Sequence, residues 1–200
     1  MMMDLAKPIV AQVHGYCLAG GSELASACDV VIVGENAKIG YPAVRSMGLP
    51  DTQIFPWTVG MRQSMYLMLT GDSMNGKEAA QYGWATRCVP DAELERETLR
   101  VAQRISKIPS DLLQMSKRSV HRAMEAMGMR AHLRMHTEIS ALSQEAPSVK
   151  AFMGRVYGDL GRGNRRAFTE ALDRRDGAFS DGRVAKKKKK DGGGSGRSRL

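Results

Sequence analysis

Lys7 to Asp29, KPIVAQVHGYCLAGGSELASACD, is the stretch whose reading decides the fold. Ile9 to Val13 is a short apolar run that follows Pro8 and stops at His14-Gly15, the pattern of a buried strand. Gly20-Gly21 opens a segment rich in Ala and Leu, Ser22 to Cys28, that reads as a short helix, and Val30 to Val33 is a second apolar strand. Strand, glycine turn, helix and strand in that order predict an α/β layer. The same order puts one carboxylate, Glu23, in the first helical turn beside two residues that lack side chains. Unpaired backbone N–H groups point outward there and the dipole favours negative charge, so an oxyanion forming beside the Gly20 N–H would be stabilised. Taken alone, Gly-Gly is first a tight turn, and a first-turn Glu is first a complement to the dipole.

Downstream, Asn36 to Pro50 is punctuated by Gly40, Pro42, Gly48 and Pro50, which marks loops around a brief extended Lys38-Ile39 segment where a site-lining loop would sit. Helical spacing then dominates: Arg62 to Leu69, Gly76 to Tyr82, Asp91 to Lys107, Ser110 to Met127, Met129 to Gln144, Ser148 to Leu160 and Arg165 to Arg174, with Thr86 to Val89 as a last strand. The expected organisation is an α/β core over residues 1–108, a helical region over 109–178 and a basic Gly/Ser/Lys tail over 179–200, too polar to order itself.

The chain has 200 residues, 42% of them hydrophobic, enough for a real core. Its formal charge of +9 is concentrated at the end. Arg183 to Leu200 holds eight Lys or Arg against one acid, which leaves 22 basic and 20 acidic residues of the total 30 and 21 for the body. That balance gives no reason to expect nucleic acid or an anionic membrane as a partner. Three cysteines, Cys17, Cys28 and Cys88, show no paired spacing, which disfavours a disulfide framework or zinc site and favours a reducing compartment. No run approaches the length of a membrane span, and the start, MMMDLAKP, lacks the pattern of a signal peptide. A cytoplasmic location is expected.

The run from Lys7 to Ala25 with Cys28-Asp29 resembles the signature of the crotonase (enoyl-CoA hydratase/isomerase) superfamily. The likeness continues through Ala37-Lys38-Ile39-Gly40, Leu69-Thr70-Gly71, Ala79 to Gly83 and Arg166-Ala167-Phe168, covering nearly everything before the tail. It implies a spiral of ββα units followed by a helical oligomerisation region that builds homotrimers, often paired into hexamers. It also implies an acyl-CoA thioester substrate, with CoA arriving as part of that substrate and no separate cofactor. By this resemblance Gly20 supplies one of two N–H groups that hold the thioester oxygen, and Glu23 transfers protons as general acid/base. Hydration of a 2-enoyl-CoA in fatty-acid breakdown is the leading expectation, double-bond isomerisation the nearest alternative, and a non-catalytic acyl-CoA-binding subunit or inactive fragment a third.

Two departures from the family pattern bear on this. The hydratases carry a second Glu one residue beyond the Gly-x-Pro that matches Gly40-Tyr41-Pro42, and Ala43 stands there. Asp51, on the Leu49-Pro50-Asp51 loop, is a substitute acid to weigh against an exposed turn residue after Pro. Family members also carry a segment ahead of the Lys-Pro strand that supplies the second oxyanion N–H, so an N-terminally shortened member is expected.

Other residues draw weaker readings. His132 and His136 are four apart but lack the intervening Glu of a zincin and a third ligand, so they read as surface helix histidines. Met61, Met65 and Met68, with Met115, Met124 and Met127, read as core, and their thioethers would also suit a wall that adapts to acyl chains. Gly158, Gly161 and Gly163 lack the Lys-Ser/Thr of a phosphate loop and read as a flexible joint. The terminal Ser198-Arg199-Leu200 is similar to a peroxisomal address, the alternative location in a eukaryote.

Overall fold

The computed structural model describes residues 2–179. Of the expected tail only Phe179 is among them, and the Ser198-Arg199-Leu200 terminus lies outside.

Strand β1, Val10–Val13, is followed by β2, Tyr16–Leu18, and helix α1, Gly20–Ser26. Strands β3, Val30–Gly34, and β4, Lys38–Gly40, lead into a 3-10 turn, Pro42–Arg45, then α2, Phe55–Thr58, and α3, Gly60–Thr70. β5, Ser73–Asn75, α4, Gly76–Gln81, and β6, Arg87–Val89, complete the mixed part. The β1-β2 and β3-β4 pairs each send their first strand to one sheet and their second to the other, and β5 and then β6, on either side of α4, extend the second and the first, giving the orders β1-β3-β6 and β2-β4-β5. The first sheet is parallel throughout, with Val10 opposite Val30 and Val33 opposite Cys88. In the second, β2 and β4 run parallel, while β4 and β5 run antiparallel.

Central β3 is buried along Val31 to Gly34, as a parallel strand covered on both faces must be, which explains its unbroken apolar run. Val31 and Val33 join Val13, Ile39, Leu67 and Trp84 in the principal core cluster. Short β2 and β5 and the four-residue α2 carry too few residues for a periodic signal, and the sequence reading passes over them. Local chemistry closes the helices. Gly71, at φ 70°, ends α3 in the left-handed conformation. Asn75 and Glu78 form a reciprocal capping box at α4, at 2.9 and 2.8 Å.

Helices α5, Leu94–Ile105, α6, Ser110–Ala126, and α7, Met129–Gln144, follow, then α8, Pro147–Gly161, and α9, Arg165–Gly177. A buried ion pair ties α6 to the start of β1. Lys117, with 7% of its side chain exposed, reaches Asp29 Oδ2 at 2.8 Å, and the same oxygen accepts from Ile9 N at 2.7 Å.

The chain divides into two compact units after Met153. In the second unit, Asn164 caps α9 by accepting from Ala167 N, and Arg166 pairs with Glu170 one turn on. Gly158 and Gly161 lie inside α8, and only Gly163, at φ 74°, occupies the break between helices. The methionine expectation is corrected in part. Met61 and Met65 are exposed because α3 turns Ser64, Leu67 and Met68 inward instead, and Met115 and Met127, on α6 and at its end, are exposed as well. No helix among the described residues is long and apolar enough to cross a membrane.

Candidate active site

Ala19 precedes α1 at φ 50° and ψ −123°, the only non-glycine residue with positive φ among those described. An L side chain is strained there. Tertiary contacts hold it in place: Ala19 N donates to Gly40 O at 2.9 Å, and the fully buried Ser22 hydroxyl lies 2.8 Å from Ala19 O and 3.1 Å from Gly40 O. The bend leaves Gly20 and Gly21 exposed, and among the described residues neither N–H has an acceptor. Ala19→Gly is expected to raise stability by about 1 kcal/mol, strain relief exceeding the added chain entropy. Denaturant unfolding at constant m-value checks it.

Glu23 lies half-buried one turn into α1, in a narrow crevice it shares with Tyr41, Pro50, Thr52 and Ile54. Its Oε1 accepts the Thr52 N–H at 2.9 Å. Burial raises the carboxyl's pKa above the ordinary value, the Thr52 N–H opposes this, and the neighbouring Asp51 charge raises it further. A carboxyl held in this way gives up its proton less readily than a free one and can serve in proton transfer. Tyr41, beside it, is pushed up to about 12, by burial first and then by the charges of Glu23 and Asp51, so the phenol stays neutral and donates weakly to Leu49 O at 3.5 Å.

The structure brings Gly20 and Glu23 together on α1, and its placement of Asp51 is different. Asp51 is exposed, and its Oδ1 lies 3.1 Å from Ser140 Oγ on α7, so its charge reaches Glu23 while its hydrogen bond goes to the helix. Ala43 lies in the 3-10 turn Pro42–Arg45 and contributes no polar side chain. The histidines correct the surface reading. His132 Nε2 is 2.9 Å from Gln53 O, and its ring stacks on His136 with centroids 5.9 Å apart. His136, whose Nε2 is buried without a partner among the described residues, has its pKa lowered by burial and then by His132. Thr52, and the contact that His132 makes with Gln53, escaped the sequence reading. One acts through its backbone and the other across 79 residues of chain, and neither leaves a local motif.

A larger apolar cavity of about 460 Å³ lies behind α1, lined in part by Ala27, Trp57, Met124 and Met129. It shares Ser26 and Ile54 with the Glu23 crevice.

An α/β core that sets a partly desolvated carboxylate one turn from two open helix N–H groups has the parts of a site that binds an oxyanion and moves a proton. The chain belongs to the enoyl-CoA hydratase/isomerase family, whose model matches residues 1–156. It is 32% identical over 158 residues to a probable mitochondrial enoyl-CoA hydratase of Dictyostelium discoideum, covering 76% of this chain and 57% of that one. With a probable enoyl-CoA hydratase of Rhizobium meliloti it shares 33% over 155 residues, 74% of this chain and 60% of the relative. An enoyl-CoA hydratase from Mycobacterium smegmatis superposes with a TM-score of 0.82 at 32% identity, covering 90% of this chain and 60% of that chain, so the fold is of the crotonase type. The chain spans less than two thirds of the length of each of these proteins.

Proposed function

We propose that the protein acts on 2-enoyl-CoA thioesters, adding water across the double bond, with Glu23 as general acid/base and the Gly20 N–H as one half of the oxyanion hole. The observation that carries this reading is the Glu23 carboxylate, raised in pKa, in the same helical turn as the unpaired Gly20 N–H. Negative charge gathers on the thioester oxygen as C3 is attacked, and the N–H dipole stabilises it where it forms. Glu23 takes a proton from the attacking water and gives one to C2, ending in its starting state. CoA enters and leaves with the substrate, so the reading needs no separate cofactor. The apolar cavity, on which Ser26 and Ile54 also border, is the place such a reading gives the acyl chain, away from the reacting carbons.

A second reading, double-bond isomerisation by one carboxylate, draws on Ala43 and on the Asp51 hydrogen bond to Ser140, which leave Glu23 as the acid in the crevice. Mass analysis of the product separates the two, since only hydration adds a water. Asp51→Asn is expected to leave the product unchanged and to lower the rate less than tenfold, far below the cost of losing a proton-transfer group. A loss equal to that of Glu23→Gln would make Asp51 the second acid.

Assembly as a homotrimer or paired trimers goes with this reading. The exposed stripes Met61, Met65, Leu69 on α3 and Met135, Ile139, Leu142 on α7 supply apolar surface for subunit contacts. Action in the cytoplasm, with the peroxisome as alternative, completes the proposal.

A further inference from the structure

Helix α7 carries a polar stripe, His132, Thr137, Ser140, Ser143 and Gln144, with no role in the chemistry described so far. Each of these side chains reaches the same loop. Gln144 Nε2 donates to Met47 O at 3.2 Å, and Ser143 Oγ accepts from Leu49 N at 3.1 Å. Ser140, 2% exposed, lies 3.0 Å from Leu49 O and 3.1 Å from Asp51 Oδ1, its single proton serving one at a time. Thr137 Oγ1 is 3.2 Å from Asp51 O and 3.0 Å from Leu133 O one turn back, its single proton also serving one at a time. Gln53 O can only accept, so the His132 Nε2 at 2.9 Å carries a proton and donates to it.

The peptide between Asp51 and Thr52 is therefore held on both sides. Its C=O faces Thr137 on α7, and its N–H donates to Glu23 Oε1 at 2.9 Å. Gly48 seats the loop at close range. It sits at φ 108°, and a Cβ on it would come within 2.1 Å of Gln144 Nε2. The loop is thus clamped to α7 at Met47, Leu49, Asp51 and Gln53, and on the α1 side its Thr52 N–H meets the Glu23 carboxylate.

The structure assigns His132, Thr137 and Ser140 as positioning residues that fix the Thr52 N–H on Glu23 and so set the proton affinity of that carboxyl. The assignment deepens the acyl-CoA reading and rests on it for its catalytic meaning, but its physical content is a property of Glu23 alone. Hydrogen bonds to an ionised carboxylate lower its pKa, and polarisation through a bonded peptide strengthens the donation. Releasing the loop loosens the Thr52 and Asp51 hydrogen bonds that counter burial.

The test is titration of the Glu23 side-chain carboxyl in the full chain by carbon-13 NMR, assigned by its disappearance in Glu23→Gln. His132→Ala combined with Ser140→Ala is expected to raise the Glu23 proton affinity about tenfold, with near-ultraviolet circular dichroism unchanged. His132→Gln, whose amide N–H can still donate to Gln53 O, is expected to keep the parental titration. An unmoved Glu23 in the double variant overturns the assignment, as does an equal rise in His132→Gln, which would report general loosening. If the double variant does not fold, Thr137→Val decides, being exposed and nearly isosteric: a smaller rise supports the assignment and no rise overturns it. The titration needs no turnover, so its result is separate from whether enoyl-CoA is the substrate.

Discussion

Glu23→Gln is expected to lower the rate of enoyl-CoA consumption by about 10²- to 10⁴-fold, the usual contribution of a positioned proton-transfer group. The side chain keeps its size, and the amide oxygen can still accept from Thr52 N, so the loss isolates proton transfer. Disappearance of the conjugated thioester absorbance measures it, and equal rates in the two proteins would remove Glu23 from the mechanism. The same substitution should act on stability in the opposite direction. Burial raises the carboxyl's pKa in the folded state above its unfolded value. The folded protein therefore prefers the neutral acid, and stability falls as pH rises through the folded pKa and the group ionises in place. Gln is neutral at every pH. The variant is expected to unfold at higher denaturant than the parent above that pKa, the advantage fading as pH drops below it. A catalytic carboxylate that costs stability is what a preorganised site predicts.

Trp84→Ala is expected to have the largest effect on stability, about 3–5 kcal/mol, as for other buried Trp or Phe truncations. Trp84 is 4% exposed within the principal core cluster, and its indole N–H donates to Ser26 Oγ at 2.7 Å. Ser26 is the last residue of α1 and lines both the Glu23 crevice and the larger cavity. The truncation thus empties core volume and unties the far end of the helix that carries Gly20 and Glu23. For a unit of this size the cost corresponds to a fall in melting temperature of roughly 10 °C, which calorimetry measures. Trp84→Phe fills most of the space and should recover all but about 1 to 3 kcal/mol, the cost of the lost hydrogen bond. A Phe variant as unstable as the Ala variant would put the weight on the hydrogen bond to Ser26 instead of on packing.

Much of this molecule is legible along the chain because the determining interactions are local. Val30 to Gly34 is unbroken and apolar because β3 is buried on both faces, and Gly71 ends α3 because a left-handed residue is needed there. Helices α5 to α7 show their period over twelve to seventeen residues, whereas β2, β5 and α2 are only three or four long and vanish between their neighbours. The methionines misled because helical spacing marks a stripe without saying which way it faces. Met61 and Met65 look outward while Leu67 and Met68 meet the core.

At the site the division is the same. From the sequence alone come Gly20, Glu23 and their shared helical turn, because an open N-terminus and a first-turn carboxylate are consequences of residues next to one another. The tertiary structure decided the proton affinity of that carboxylate, since desolvation and the Thr52 N–H reach Glu23 from a loop 29 residues away. It also decided that Asp51 turns to Ser140, 89 residues on, and that His132 and His136 are a half-buried brace instead of a surface pair. Periodicity and turn chemistry act over a few residues, so they can assign an element and its capping. They carry no information on which distant backbone N–H or hydroxyl will meet a side chain once the loop is folded onto α7.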